Sequence, residues 1–303
     1  MEWQGVQPAI TTPFTTDLRV DHPAMAAHCQ WLVDRGCTGL VVLGSLGEGG
    51  TLDRTEKRET VTNCVRAVAG RVPIIAAVAA ARTSDAVDAA RDAAAAGASG
   101  LMVLPPYVYH GDWRETREHF GAVLRATRLP CMLYNNPVAY GTDVRPEQML
   151  ELATEHPTLA AVKESSTDVR RITAIRVLLG SRLAISVGVD DEILEGIDAG
   201  AAGWVAGLAN AFPDESVELF RLAAAGRRAD AFELYRWFLP LLRMDTSPKF
   251  VQLIKLLQAE VGHGNPRVRL PRLELEGDEA ARALETLHVA LRNRPSRSAP
   301  PSA

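Results

Sequence analysis

Little in this sequence is concentrated. Only four cysteines occur in 303 residues, Cys29, Cys37, Cys64 and Cys131, and no two stand in a C-x-x-C pair. Their neighbours are mostly apolar, so buried thiols in a reducing compartment are expected rather than a disulfide framework. Seven histidines are scattered without an H-x-H or H-E-x-x-H pair, so no metal is expected. Basic residues are not clustered either. Their nearest approach is Arg227-Arg228 after Gly226, which reads as a solvated helix boundary. With a net charge of −4, the chain lacks the basic face that nucleic acid demands, and no nucleic-acid partner is expected. No apolar run reaches the ~18–20 residues of a membrane helix. The opening MEWQGVQPAITTPF lacks the basic-then-apolar layout of a secretory signal. A cytoplasmic protein without a membrane partner is therefore expected.

What the sequence does have is a repeat of short apolar runs. They are 5–11, 39–43, 72–78, 100–104, 129–134, 159–163, 183–187 and 203–207. Most are continuous rather than alternating, as in parallel strands buried on both faces. Helical patterns lie between them. Asp21 and Asp112 are N-cap candidates, Thr51 with Arg54-Thr55-Glu56 opens a further helix, and Ser84-Asp85 leads an Ala-rich one that ends at Gly97. Eight strands, each followed by a helix, predict a (β/α)8 TIM barrel over 1–210. Residues 211–291 read as the barrel's eighth helix and a C-terminal helical extension. The Pro/Ser/Arg-rich stretch 292–303 reads as a disordered tail.

In such a barrel the chemistry gathers at the C-terminal ends of the strands. Lys163 ends the sixth apolar run, where desolvation disfavours the ammonium and lowers its pKa. A neutral amine is what Schiff-base formation requires. The plainer reading, at even odds on pattern alone, is a lysine snorkelling from a strand end or paired with Glu164. Tyr134 ends the adjacent strand and brings a phenol within reach as a proton carrier. The loop Gly44-Ser45-Leu46-Gly47-Glu48-Gly49-Gly50 offers N–H groups with little steric cover, fit for a carboxylate or phosphate. It is neither a P-loop nor G-x-G-x-x-G, so no nucleotide cofactor is expected. Asp190-Asp191 reads as helix capping rather than a cation site, and His110 as a surface loop residue.

The combination GSLGEGG, YNNP and VKESS resembles the class I aldolase family of dihydrodipicolinate synthase and N-acetylneuraminate lyase. TTPF (11–14), GVDDEILEGIDAGAAGWVAGLAN (188–210) and SPKF (247–250) extend the likeness. It implies that Lys163 forms the imine with a 2-oxo acid, that Tyr134 shuttles protons, and that Ser45 joins the relay. The N–H groups of Ser45 and Leu46 would bind the substrate carboxylate, and Glu48 would complete the site by holding the loop. Gly188 and Val205 would line the pyruvyl pocket. It also implies a homo-oligomer, dimer or tetramer, with no cofactor beyond the protein itself.

Three departures bear on substrate. Leu46 replaces the second hydroxyl of the loop signature. Ala139 stands where synthases of dihydrodipicolinate carry an Arg for a second carboxylate. Tyr107-Val108 replaces an aromatic pair, so a relay hydroxyl is lost at Val108 unless Tyr107 or Tyr109 substitutes. The expected function is therefore a class I lyase performing aldol cleavage or condensation on a pyruvate-like acid. Dehydration or deamination of a hydroxy-2-oxo acid, a 2-keto-3-deoxy sugar acid or a hydroxypyrroline carboxylate is the first alternative. 4-Hydroxy-tetrahydrodipicolinate synthesis is disfavoured by Ala139, and a non-catalytic acid-binding barrel is the remaining one.

Overall fold

The computed structural model describes residues 1–295. Eight parallel strands curl into a barrel: β1 (Gly5–Val6), β2 (Leu40–Val42), β3 (Ile74–Val78), β4 (Gly100–Val103), β5 (Cys131–Asn135), β6 (Leu159–Glu164), β7 (Ala184–Val187) and β8 (Gly203–Trp204). Each of β2 to β8 pairs with its sequence neighbour, and β1 pairs with β8. The ring closes through a bridge between Ala9 and Val41, where Ile10 N–H donates to Val41 O at 2.9 Å. Closure leaves no sheet edge to protect. The apolar runs of the sequence become these strands because both faces are covered: every residue of β2, β3, β4, β5 and β8 is buried. Cutting back such a residue, for example Ile75→Ala, removes packing worth about 2–5 kcal/mol.

A helix follows each strand, from His22–Asp34 after β1 to Pro213–Ala224 after β8. Asp21 and Asp112 cap their helices as expected, accepting from Ala24 N–H and Glu115 N–H, both at 3.0 Å. One expected start moves. The second helix is capped by Asp53, whose carboxylate accepts from Glu56 N–H at 2.8 Å while Glu56 returns a bond to Asp53 N–H. Thr51 instead ends a short 3-10 turn, Gly49–Thr51. Only a residue immediately before the helix can reach the third N–H.

Three helices follow the barrel: Arg228–Leu242, Phe250–Glu260 and Gly277–Arg292. Arg292 thus belongs to a helix, and Arg294 is ion-paired with Glu215, so disorder does not begin at 292 as expected. The rest of the expected tail, 296–303, lies outside the described residues. Between the first two of these helices a 3-10 turn, Arg243–Thr246, packs on the segment Asp190–Glu192 that follows β7. That placement brings a residue from late in the chain to the mouth of the barrel. All four cysteines are buried and free. Among the described residues no helix is long and apolar enough to cross a membrane.

Candidate active site

The ends of β5 to β8 converge on one amine. Lys163, the penultimate residue of β6, lies in register with Tyr134 on β5 and Ser186 on β7. Its side chain is buried, and Nζ sits 4.2 Å from the centre of the Tyr134 ring. Alternation along the strand sends the next residue the other way. Glu164 accepts from Asn135 Nδ2 at 3.1 Å and from Ser166 N–H at 2.8 Å. A Lys163–Glu164 salt bridge is therefore not what holds the lysine.

Burial pushes the Lys163 amine below its ordinary value, while the charges of Asp245, Tyr140 and Asp190 partly oppose the shift. Burial raises the Tyr134 phenol, and hydrogen bonds including one with Tyr140 partly offset it. Tyr134 Oη also accepts from Asn136 Nδ2 at 3.0 Å. The two titrating groups are thus driven towards their neutral forms, amine and phenol, in contact with one another. Gly188 is required beside them: a Cβ there would lie 2.5 Å from Lys163 Cε and collide with Ser165 Oγ as well.

The Gly-rich loop after β2 is shaped by close backbone approach. A Cβ on Gly47 would stand 2.8 Å from Ile10 O, and Thr12 Oγ1 donates to Gly47 O at 2.6 Å. Glu48, at a left-handed φ of 53°, is fully buried. Its carboxylate accepts from Lys255 Nζ at 2.6 Å and from Arg269 N–H at 3.0 Å. Glu48 therefore braces the loop and is not free to bind substrate. Among the described residues the N–H groups of Ser45 and Leu46 donate to no protein acceptor, which leaves both for a ligand. Ser45 Oγ is hydrogen-bonded to Tyr140 Oη.

Not all the expected residues gather here. Tyr107 is largely exposed and lines a separate cavity of about 450 Å3 with Arg54, Lys57 and Asp88. Tyr109 is exposed and bonded to Glu115 at 3.1 Å. Within one chain neither replaces the hydroxyl missing at Val108. Ala139 lies exposed on a single helical turn, Pro137–Tyr140, and donates its N–H to Asn136 Oδ1 at 2.9 Å. Val205 is buried just past β8, where its N–H donates to Val187 O at 2.9 Å. Asp190 does not cap its own helix. It accepts from Trp204 Nε1 at 2.9 Å, Gly207 N–H at 3.0 Å and Leu208 N–H at 2.7 Å, tying the ends of β7 and β8 together. Burial holds its carboxyl up at about 6 despite those bonds.

Two site residues escaped the sequence reading. Tyr140 packs edge to face on Tyr134, ring centroids 5.6 Å apart, and turns its hydroxyl to Ser45. Its one signal in sequence was an aromatic three residues past the Pro of YNNP. Asp245, on the Arg243–Thr246 turn, lies against Gly207, where any Cβ would collide with its carboxyl. Its electrostatic reach includes Asp190 and Lys163, and burial holds it well above the ordinary carboxylate range. Nothing local in the sequence marks it.

Residues 2–290 match the model of the Dihydrodipicolinate synthetase family. The chain belongs to that family. A 4-hydroxy-tetrahydrodipicolinate synthase of Agrobacterium fabrum is 33% identical over 293 residues, covering 96% of this chain and all of the relative. The solved 4-hydroxy-tetrahydrodipicolinate synthase of Methylacidiphilum fumariolicum superposes with a TM-score of 0.92 at 26% identity, covering 96% and 97% of the two chains. YagE of Escherichia coli K12, a prophage protein of the dihydrodipicolinic acid synthase family solved in complex with pyruvate, gives a TM-score of 0.90 at 25% identity, covering 96% and 99%. Members of the family are lyases, so the chain is an enzyme of that type and not a non-catalytic acid-binding barrel.

Proposed function

We propose that this member of the dihydrodipicolinate synthetase family captures a pyruvate-like 2-oxo acid as an imine on Lys163. The observation that carries the proposal is a buried amine held against a buried phenol, with Nζ 4.2 Å from the Tyr134 ring centre. The pyruvate complex of YagE supports the choice of acid. The substrate carboxylate is received by the N–H groups of Ser45 and Leu46, and its carbonyl carbon faces the amine.

The neutral amine adds to the ketone carbon, forming the N–C bond and leaving charge on oxygen. Tyr134 gives its proton to that oxygen and recovers one from the new ammonium. It then protonates the hydroxyl, whose C–O bond breaks to release water. The product is a protonated imine, and the net uptake is one proton. The positive nitrogen then draws electrons from the neighbouring carbon, which serves aldol chemistry or elimination alike.

Which outcome follows depends on the far end of the pocket. The name shared by the curated relatives supports 4-hydroxy-tetrahydrodipicolinate synthesis, and gives it more weight than Ala139 alone allowed. The mouth itself supports the second reading, dehydration or deamination. Ala139 offers no cation for a second carboxylate.

Borohydride added with pyruvate should place a covalent adduct on Lys163. A label on another lysine, or none with a panel of 2-oxo acids, would remove the assignment. Turnover of pyruvate with a carboxylate-bearing aldehyde, set against turnover of a 2-keto-3-deoxy sugar acid and a hydroxypyrroline carboxylate, separates the two readings. In the same assay Ala139→Arg should shift preference towards the carboxylate-bearing partner.

A further inference from the structure

We infer that Tyr140 is the relay hydroxyl of this enzyme, supplied from within the same chain, and that it feeds protons from Ser45 to Tyr134 during imine formation. The inference rests on Lys163 being the imine-forming residue.

Imine formation needs one net proton, delivered to an oxygen beside a buried amine. Tyr134 makes that delivery, yet it is itself buried and cannot be replenished directly by water. A second hydroxyl must stand between it and a more open group. Tyr140 occupies that place. It is half-buried, its ring packs edge to face on Tyr134 at 5.6 Å, and its Oη is hydrogen-bonded to Ser45 Oγ. Ser45 is partly exposed on the loop whose free N–H groups receive the carboxylate, so the chain of hydroxyls opens onto the substrate side.

The hydroxyl contacts permit this traffic. Either hydroxyl of the Ser45–Tyr140 pair can donate, so that bond can carry a proton towards Tyr140, whose ring lies against Tyr134. Asn136 Nδ2 donates to Tyr134 Oη from the other side. When Tyr134 releases its proton to the carbonyl oxygen, Tyr140 restores it and is restored by Ser45, which takes the net proton from water at the partly exposed loop. No bond other than O–H is made or broken in the relay.

The positioning of Tyr140 follows from chain geometry. Pro137 starts a one-turn helix capped by Asn136, and Gly141 ends it at a φ of 69°. That single turn swings the residue three past the proline back over the end of β5. The other candidates, Tyr107 and Tyr109, point elsewhere.

The test is the rate of borohydride-trapped imine formation with pyruvate as probe, read by intact mass. Tyr140→Phe should slow the limiting rate by roughly 10–100-fold, within the range for lost proton transfer, with half-saturation by pyruvate changed less than about threefold. A merely structural loss would move saturation as well. The deficit relative to the unaltered enzyme at the same pH should also narrow as pH falls, because solvent acid substitutes for the missing donor. Ser45→Ala, which leaves both rings in place, should slow the same step and serves if Tyr140→Phe folds poorly. Co-expressed Lys163→Ala and Tyr140→Phe chains should trap no faster than Tyr140→Phe alone. Restored trapping in the mixture, or a Tyr140→Phe rate within twofold of wild type while Tyr109→Phe is slow, would overturn the inference. If the unaltered enzyme is not labelled on Lys163 at all, it is the imine assignment that fails instead.

Discussion

Two lysines in this barrel share almost every local property and differ in their partners. Lys163 and Lys255 are both buried, at 7% and 1% exposure, and both lie over an aromatic ring, 4.2 Å from Tyr134 and 4.4 Å from Phe14. Burial lowers both amines. The difference is the partner. Lys255 donates to Glu48 Oε1 at 2.6 Å and to Arg267 O at 2.5 Å, so its charge is paid back where it sits. Lys163 lies over the Tyr134 ring, and Asp245 and Asp190 act on it through their fields. A buried ammonium with a contacting carboxylate is structure; one without it is a base in waiting.

The contrast breaks first at the chemistry. Lys163→Met should abolish trapping and lower turnover by about four orders of magnitude or more, whereas Lys255→Met should leave the lysine at 163 able to react with pyruvate at a reduced rate through its slackened loop. Mass spectrometry after borohydride treatment decides between them.

Stability should order the same two variants the other way. Removing one partner of the buried Lys255–Glu48 pair strands the other and costs about 3–5 kcal/mol, measurable as a lower denaturant midpoint for Lys255→Met or Glu48→Gln. Lys163→Met should hold or raise the melting temperature, by roughly 2–4 °C for each kcal/mol recovered. The sign follows from linkage. The folded amine titrates below its ordinary value of 10.5. The penalty for charging it is absent above 10.5, grows as pH falls from there, and is complete below the folded value. Replacing Lys163 by Met removes that penalty, so the gain should be present at neutral pH and vanish at strongly alkaline pH.

The smallest effect sharpens the comparison. Asp245→Asn takes away a negative field that helps Lys163 hold its proton. The acid limb of the trapping rate, which rises as the amine loses its proton, should shift to lower pH. An unchanged or upward-shifted limb would separate Asp245 from the lysine.

Lys163 and Tyr134 were legible because each ends an apolar run that can only be a barrel strand, and strand ends in this fold face the site. Glu48 was legible as a loop residue, but its partner lies at 255, and no pattern within the loop names it. Asp190 read as a cap because it precedes a helix; the competing donors, Trp204 Nε1 and the N–H groups of Gly207 and Leu208, come from the next strand. Thr51 read as a helix start for the same reason and lost to Asp53 by two residues.

The order and period of the apolar runs determined the barrel, since continuous hydrophobic strands spaced by helices have few other ways to bury both faces. They also determined which residues stand at its mouth. The tertiary structure alone decided which of these meet: that Tyr140 rather than Tyr107 meets Ser45, that Asp245 returns from the C-terminal segment to lie against Gly207, and that Lys255 rather than Lys163 is paired with a carboxylate. The physical reason is that hydrophobic periodicity is a local property of the chain, whereas pairing a buried polar atom depends on groups that only folding brings within about 3 Å.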